Sequence, residues 1–133
     1  MDTKNIIYNE NELSRMAIES AIIVHRNLGP GLLESVYKEC LFFELQNKNI
    51  FVEKEKPLPL VYKEIKLECG YRADIVIENK LILELKSVEA INDIHVAQVL
   101  TYLKLSGCKL ALLINFNVLL LKDGLRRIIK GQL

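Results

Sequence analysis

Histidine and cysteine are scarce in this chain of 133 residues, and that scarcity removes whole classes of chemistry. Two histidines, His25 and His95, argue against a histidine-based zinc site. The three cysteines, Cys40, Cys69 and Cys108, are odd in number, widely spaced and without a Cys-x-x-Cys pair. They read as reduced, mostly buried thiols of a cytoplasmic protein. No sign of charge dominates either, since 18 Lys and Arg against 17 Asp and Glu leave +1. The bulk field of a polybasic binder is therefore missing, and a nucleic-acid partner would need a local basic patch. Long hydrophobic runs are also lacking: the longest uncharged stretch, 110–121, has 12 residues and contains Asn115 and Asn117, too short and too polar to span a bilayer. The first residues lack the apolar core of a signal peptide, so no membrane association is expected. Neither a Gly-rich phosphate loop, a Ser-His-Asp arrangement nor an activated Cys-His pair is apparent. What is present is a globular composition, 50% hydrophobic and 26% charged, in a length that predicts one domain over residues 1–133.

Periodicity supplies the elements. Leu13, Met16, Ala17, Ala21 and Val24 repeat at helical spacing over 12–27, with Asn11 as the expected N-cap. Gly29-Pro30-Gly31 breaks that helix, and a second follows through Leu33, Val36, Tyr37, Cys40, Leu41 and Leu45. Short β-rich segments then predict three or four antiparallel strands at about 50–56, 60–68, 71–78 and 81–87. A third helix is expected over 92–105, a strand buried on both faces at 110–114, and a last strand or short helix over 125–130. The order predicts an α/β fold, with a mixed sheet flanked by helices.

Three Glu-x-Lys triplets occur, at Glu64, Glu78 and Glu84, and context separates them. The first two fall at turns, where charges are simply solvated. The third interrupts Leu81-Ile82-Leu83-Glu84-Leu85-Lys86, a strand that otherwise reads as core, and unpaired buried charges are very costly. Asp74 stands at the start of the preceding strand. A three-residue loop, Glu78-Asn79-Lys80, would set Asp74 directly opposite Glu84 with Lys86 on the same face; a two-residue loop would put the carboxylates on opposite faces. The three-residue register is the one adopted, with Asn79 tolerating left-handed backbone. Opposed carboxylates about 5 Å apart repel by roughly 3 kcal/mol at an effective dielectric near 20. A divalent ion with Lys86 beside it would resolve this and serve metal-assisted hydrolysis. A structural ion pair, with Lys86 pairing one carboxylate and a proton on the other, would resolve it equally well.

Asp74, nine residues, then Glu84-Leu85-Lys86 in adjacent strands resembles the PD-(D/E)XK nuclease superfamily. Gly31-Leu32-Leu33-Glu34-Ser35-Val36-Tyr37 resembles the motif that names the GxxExxY family. The resemblance continues through Gly70 to Asp74, Glu84 to Val88, His95 to Gln98 with Tyr102, and Leu113 to Asn117. It implies a restriction-endonuclease-like αβββαβ core in which Asp74, Glu84 and the Leu85 carbonyl hold Mg²⁺ or Mn²⁺ and Lys86 assists the attacking water. Ala73 stands where the superfamily often has proline.

Glu34 matches an acidic residue that many superfamily members carry on the helix before the sheet, which implies a place at the metal site through a metal-bound water, although a helix-start glutamate is also favoured by the macrodipole. Tyr37 shares its face and equally suits a core aromatic with a bonded hydroxyl. His95, Gln98 and Tyr102 form one stripe of the third helix. Gln98 and Tyr102 resemble a Gln-x-x-x-Tyr motif of RecB-like nucleases, with Gln98 able to hold Lys86 or a phosphate oxygen. Lys122, Arg126, Arg127 and Lys130 could contact phosphates or form a solvated face. The expected function is metal-dependent cleavage of nucleic acid, DNA before RNA. The alternatives are an inactive module that binds nucleic acid or a protein, and a structural dimer. Sequence-specific cleavage by so small a domain would call for a homodimer.

Overall fold

The computed structural model describes residues 6–68 and 70–133, so the expectation for Cys69 lies outside the described residues. Helix α1 (Glu10–Leu28) starts earlier than expected. Asn9, not Asn11, is the N-cap: its side chain accepts from Glu12 N–H at 2.8 Å, and Glu12 returns a bond to Asn9 N–H at 2.9 Å. A Glu three residues on completes this capping box and satisfies two orphan donors, which Asn11 could not do. Gly29 and Gly31 take φ of 71° and 92°, and the chain re-enters helix at α2 (Glu34–Gln46).

The strands are β1 (Val52–Pro57), β2 (Leu60–Tyr62), β3 (Ile65–Leu67), β4 (Arg72–Ile77), β5 (Leu81–Lys86), β6 (Leu110–Asn115) and β7 (Leu125–Ile129). The segment expected as one strand at 60–68 is a hairpin of two. Lys63 and Glu64 both take positive φ, 46° and 70°, and their turn divides it. Helix α3 (Asp93–Ser106) carries the chain from β5 to β6, which pair in parallel. The main sheet has the order β1-β4-β5-β6-β7, antiparallel elsewhere, and the tail resolves as a strand.

Alternation along the strands divides the core in two. Ile75, Ile77, Leu81, Leu83, Leu85, Leu112 and Ile114 pack with α1 and α2. Val76, Ile82, Ala111 and Leu113 pack with Val99, Tyr102 and Leu103 of α3. β6 is buried along its whole length, as a strand covered on both faces should be. The resulting α2-β1-β4-β5-α3-β6 succession, with the β2–β3 hairpin inserted, is a restriction-endonuclease-like αβββαβ core.

Candidate active site

The β4–β5 register is the three-residue one: Ile77 pairs with Leu81, Val76 with Ile82 and Ile75 with Leu83. Glu78 and Asn79 both take left-handed φ, 52° and 55°, and Lys80 N–H closes the turn on the Ile77 carbonyl at 2.9 Å. Glu78 is strained for a non-glycine residue, but its carboxylate accepts from Phe51 N–H. The same parity brings Asp74 opposite Glu84 at the other end.

There the backbone ladder stops and side chains replace it. Asp74 N–H donates to Glu84 Oε1 at 3.0 Å, and Leu85 N–H donates to Asp74 Oδ2 at 2.9 Å. On the β1 side, pairing runs from Lys54 to Ile75 and from Lys56 to Ala73 but skips Glu55, whose φ is 53°. The sheet is thus distorted on both sides of Asp74, and the two acids stabilise the opening by satisfying peptide donors.

Glu84 is only 4% exposed. Burial, then the charge of Asp74, then that of Glu34, push its pKa up to about 8 against the pull of the Asp74 N–H bond and of Lys86. At neutral pH, without a cation, this carboxyl holds its proton. Asp74 is paired not by Lys86 but by Lys38 of α2, whose Nζ lies 3.4 Å from Oδ1. Lys86 Nζ makes no ion pair or side-chain hydrogen bond among the described residues. The ion-pair alternative raised for Lys86 is therefore realised by a different lysine, one that sequence reasoning missed. Its signal was available: Lys38 follows Glu34 by four residues, which places both on one helix face.

The other expected residues divide into those at the site and those engaged elsewhere. Glu34 is exposed in the first turn of α2, close enough for its charge to act on Glu84. Tyr102 is buried, meets Tyr71 edge-on with centroids 6.1 Å apart, and has its hydroxyl pushed up to about 12 by burial and by the charges of Glu84 and Asp74. It therefore stays protonated, within electrostatic reach of both carboxylates. Gln98 is half-buried one turn before Tyr102.

His95 Nδ1 accepts from Asn92 N–H at 3.1 Å and completes the capping box of α3. Tyr37 is fully buried, stacked on Phe116 at 4.4 Å, and its hydroxyl donates to the Gly29 carbonyl at 2.6 Å while accepting from Leu32 N–H. It fastens the Gly29-Pro30-Gly31 turn. Arg126 and Arg127 alternate across edge strand β7: Arg126 lines a cavity of about 220 Å³ with Glu89, Asn115 and Asp123, whereas Arg127 donates to Asn11 on the α1 side. They do not form one basic patch.

Asn115 anchors the exit of β5. Its amide accepts from Val88 N–H and Asn117 N–H and donates to the Val88 carbonyl, at 3.0–3.2 Å. Gly124 packs so tightly on it that a Cβ would lie 2.0 Å from the Asn115 carbonyl oxygen, so no other residue fits. Ser87 donates to the Leu32 carbonyl at 2.6 Å and lines a groove of about 560 Å³ with Gly31, Leu32, Leu33, Val36 and Asn117. Among the described residues no three His, Cys, Asp or Glu side chains converge on one point. The site offers two opposed carboxylates with a third nearby.

A family model described as the PD-(D/E)XK nuclease superfamily matches residues 11–128, and the chain belongs to that superfamily. The matched span holds the open hairpin end, both carboxylates, Lys86 and the facing residues of α2 and α3. Members of that superfamily are generally nucleases that typically use divalent metals, and membership implies nucleic acid as the substrate class. Searches of curated proteins and of solved structures found no match. Among the described residues no helix is long and apolar enough to cross a membrane.

Proposed function

We propose that this chain is a metal-dependent nuclease of the GxxExxY type, one domain over residues 1–133, that hydrolyses phosphodiester bonds, DNA in preference to RNA. The observation that carries the reading is a buried Glu84 opposed by Asp74, an electrostatic deficit that a cation would fill. Hard divalent cations are held by one or two carboxylates and waters, and Asp74, Glu84 and the Leu85 carbonyl are an oxygen-only set that fits Mg²⁺, with Mn²⁺ as substitute. When bound, such an ion polarises the phosphate and acidifies water. Lys86, whose ammonium makes no ion pair or side-chain hydrogen bond among the described residues, holds and orients the attacking water. Glu34 supports the water from α2, Gln98 steadies Lys86 or a phosphate oxygen, and the Tyr102 hydroxyl donates toward the carboxylates. Free thiols at Cys40 and Cys108 suit a cytoplasmic setting.

The test is cleavage of labelled single- and double-stranded DNA and RNA in Mg²⁺, Mn²⁺ or EDTA. Activity that requires metal and disappears in Lys86→Ala supports the reading; no cleavage of any substrate under any metal counts against it. One observation favours a second reading, that of an inactive binding module. Both carboxylates accept peptide N–H groups, so they also have a structural use. That reading predicts nucleic-acid binding unchanged by metal and by Lys86→Ala.

If cleavage is sequence-specific, the chain acts as a homodimer. The β2–β3 hairpin supports this, because its register puts Leu60, Tyr62, Ile65 and Leu67 on one face, with Tyr62 and Ile65 more than half exposed. A monomeric sedimentation profile with and without DNA would count against the dimer.

A further inference from the structure

Lys38 holds the loosest bond in the site. Its 3.4 Å contact with Asp74 Oδ1 is long for a charge-assisted hydrogen bond, normally about 2.7–2.9 Å. By contrast Asp74 Oδ2 is fixed on Leu85 N–H, and Glu84 Oε1 on Asp74 N–H, by backbone donors that cannot leave. Oδ1 is thus the Asp74 oxygen whose partner is free to move. The two side chains are 18% and 21% exposed, shielded enough to attract each other and open enough to exchange partners.

The charges of the site point the same way. Glu34, Asp74 and Glu84 face Lys38 and Lys86, so full ionisation leaves one negative charge in excess. A divalent cation reverses that excess to one positive charge, the complement of a single phosphodiester. An ammonium displaced from Asp74 then has an anion to meet.

We propose that Lys38 keeps the cation's place on Asp74 in the metal-free protein and, once a divalent cation takes that carboxylate, turns to a phosphate of the bound strand. This rests on the nuclease reading above and adds to it a residue outside the Asp, Glu and Lys set. Two opposite effects follow from one substitution, which a merely structural ion pair would not produce.

The experiment uses the full chain as wild type, Lys38→Met, Lys38→Arg and Glu84→Gln, each checked for folding by circular dichroism. Mn²⁺ binding is measured without nucleic acid by electron paramagnetic resonance, and binding of a fluorescent DNA oligonucleotide is measured in Ca²⁺ by anisotropy. Lys38→Met should bind Mn²⁺ about tenfold more tightly, because the cation no longer has to displace an ammonium from Asp74. It should also bind the oligonucleotide several-fold more weakly, and Lys38→Arg should restore both values toward wild type. If wild type and Glu84→Gln differ in Mn²⁺ binding but folded Lys38→Met matches wild type, or if its oligonucleotide binding is undiminished, the role of Lys38 is overturned and the metal site stands. If wild type binds no Mn²⁺, both are overturned.

Discussion

Strands β5 and β6 lie side by side, parallel and in register, yet they treat burial in opposite ways. β6 fills its length with aliphatic side chains, and its one polar residue, Asn115, has its amide bonded to Val88 and Asn117. β5 sets Glu84 beside Leu113 and Lys86 beside Asn115. Asn115 is a buried polar group completed by its own chain. Glu84 accepts one backbone bond among the described residues and has a like charge opposite and an elevated pKa. A buried polar group bonded on all sides by its own chain specifies structure, whereas a buried carboxyl whose charge is disfavoured marks a place for a ligand.

Transplanting the charge to the strand that lacks partners for it is the harshest way to break the comparison. Leu113→Glu puts a carboxylate in a fully buried position among Val99, Leu103 and Ile128. It should cost about 3 kcal/mol or more in chemical denaturation, or prevent folding, because burial disfavours the charge and Glu84 lies beside it, with only the exposed Arg126 across the β6–β7 pair to offset it.

Glu84→Gln keeps the shape and the acceptor for Asp74 N–H but removes the charge, so the fold should survive while cleavage falls about 10²–10³-fold or more in a metal-dependent assay. The same variant sharpens the comparison through pH. Glu84 is raised from 4.5 to about 8 in the folded protein, so between those values the native state holds a proton that the unfolded chain has released. Metal-free wild type should lose stability as pH rises through this window, by at most about 1.4 kcal/mol per unit, and the slope should vanish in Glu84→Gln. Divalent cation should stabilise most at the alkaline end, because binding there releases no proton.

Smaller effects are expected from the partners themselves. Asn115→Ala strands the Val88 peptide groups and should cost about 2 kcal/mol by denaturation, with a further loss of activity because Lys86 sits at the strand end it anchors. At the far turn, Asn79→Ala should cost only about 1 kcal/mol, for a left-handed residue without its polar side chain and for the lost bond from Lys56.

Much of this was legible in the sequence because strands have a period of two. One choice of loop length decided whether Asp74 and Glu84 met, and the positive φ at Asn79 is the local chemistry that permits it. The same period places Arg126 and Arg127 on opposite faces once β7 is a strand, which dissolves the basic segment read from their adjacency. Short-range chemistry misled where two candidate caps stood two residues apart, as with Asn9 and Asn11, or where a turn needed two left-handed residues that were not glycine, as at Lys63 and Glu64. The helix face of Lys38 was legible from Glu34, but its pairing was not, for another reason. Its partner is 36 residues away, and only the docking of α2 across the open end of the hairpin brings them together.

The measurement that bears most directly on the account is the titration of the Glu84 carboxyl by carbon-13 NMR, with and without Mg²⁺, using Glu84→Gln to assign the signal. The account predicts a midpoint near 8 in the metal-free protein that falls sharply when Mg²⁺ is added. A midpoint in the ordinary carboxylate range, unmoved by the ion, would contradict it.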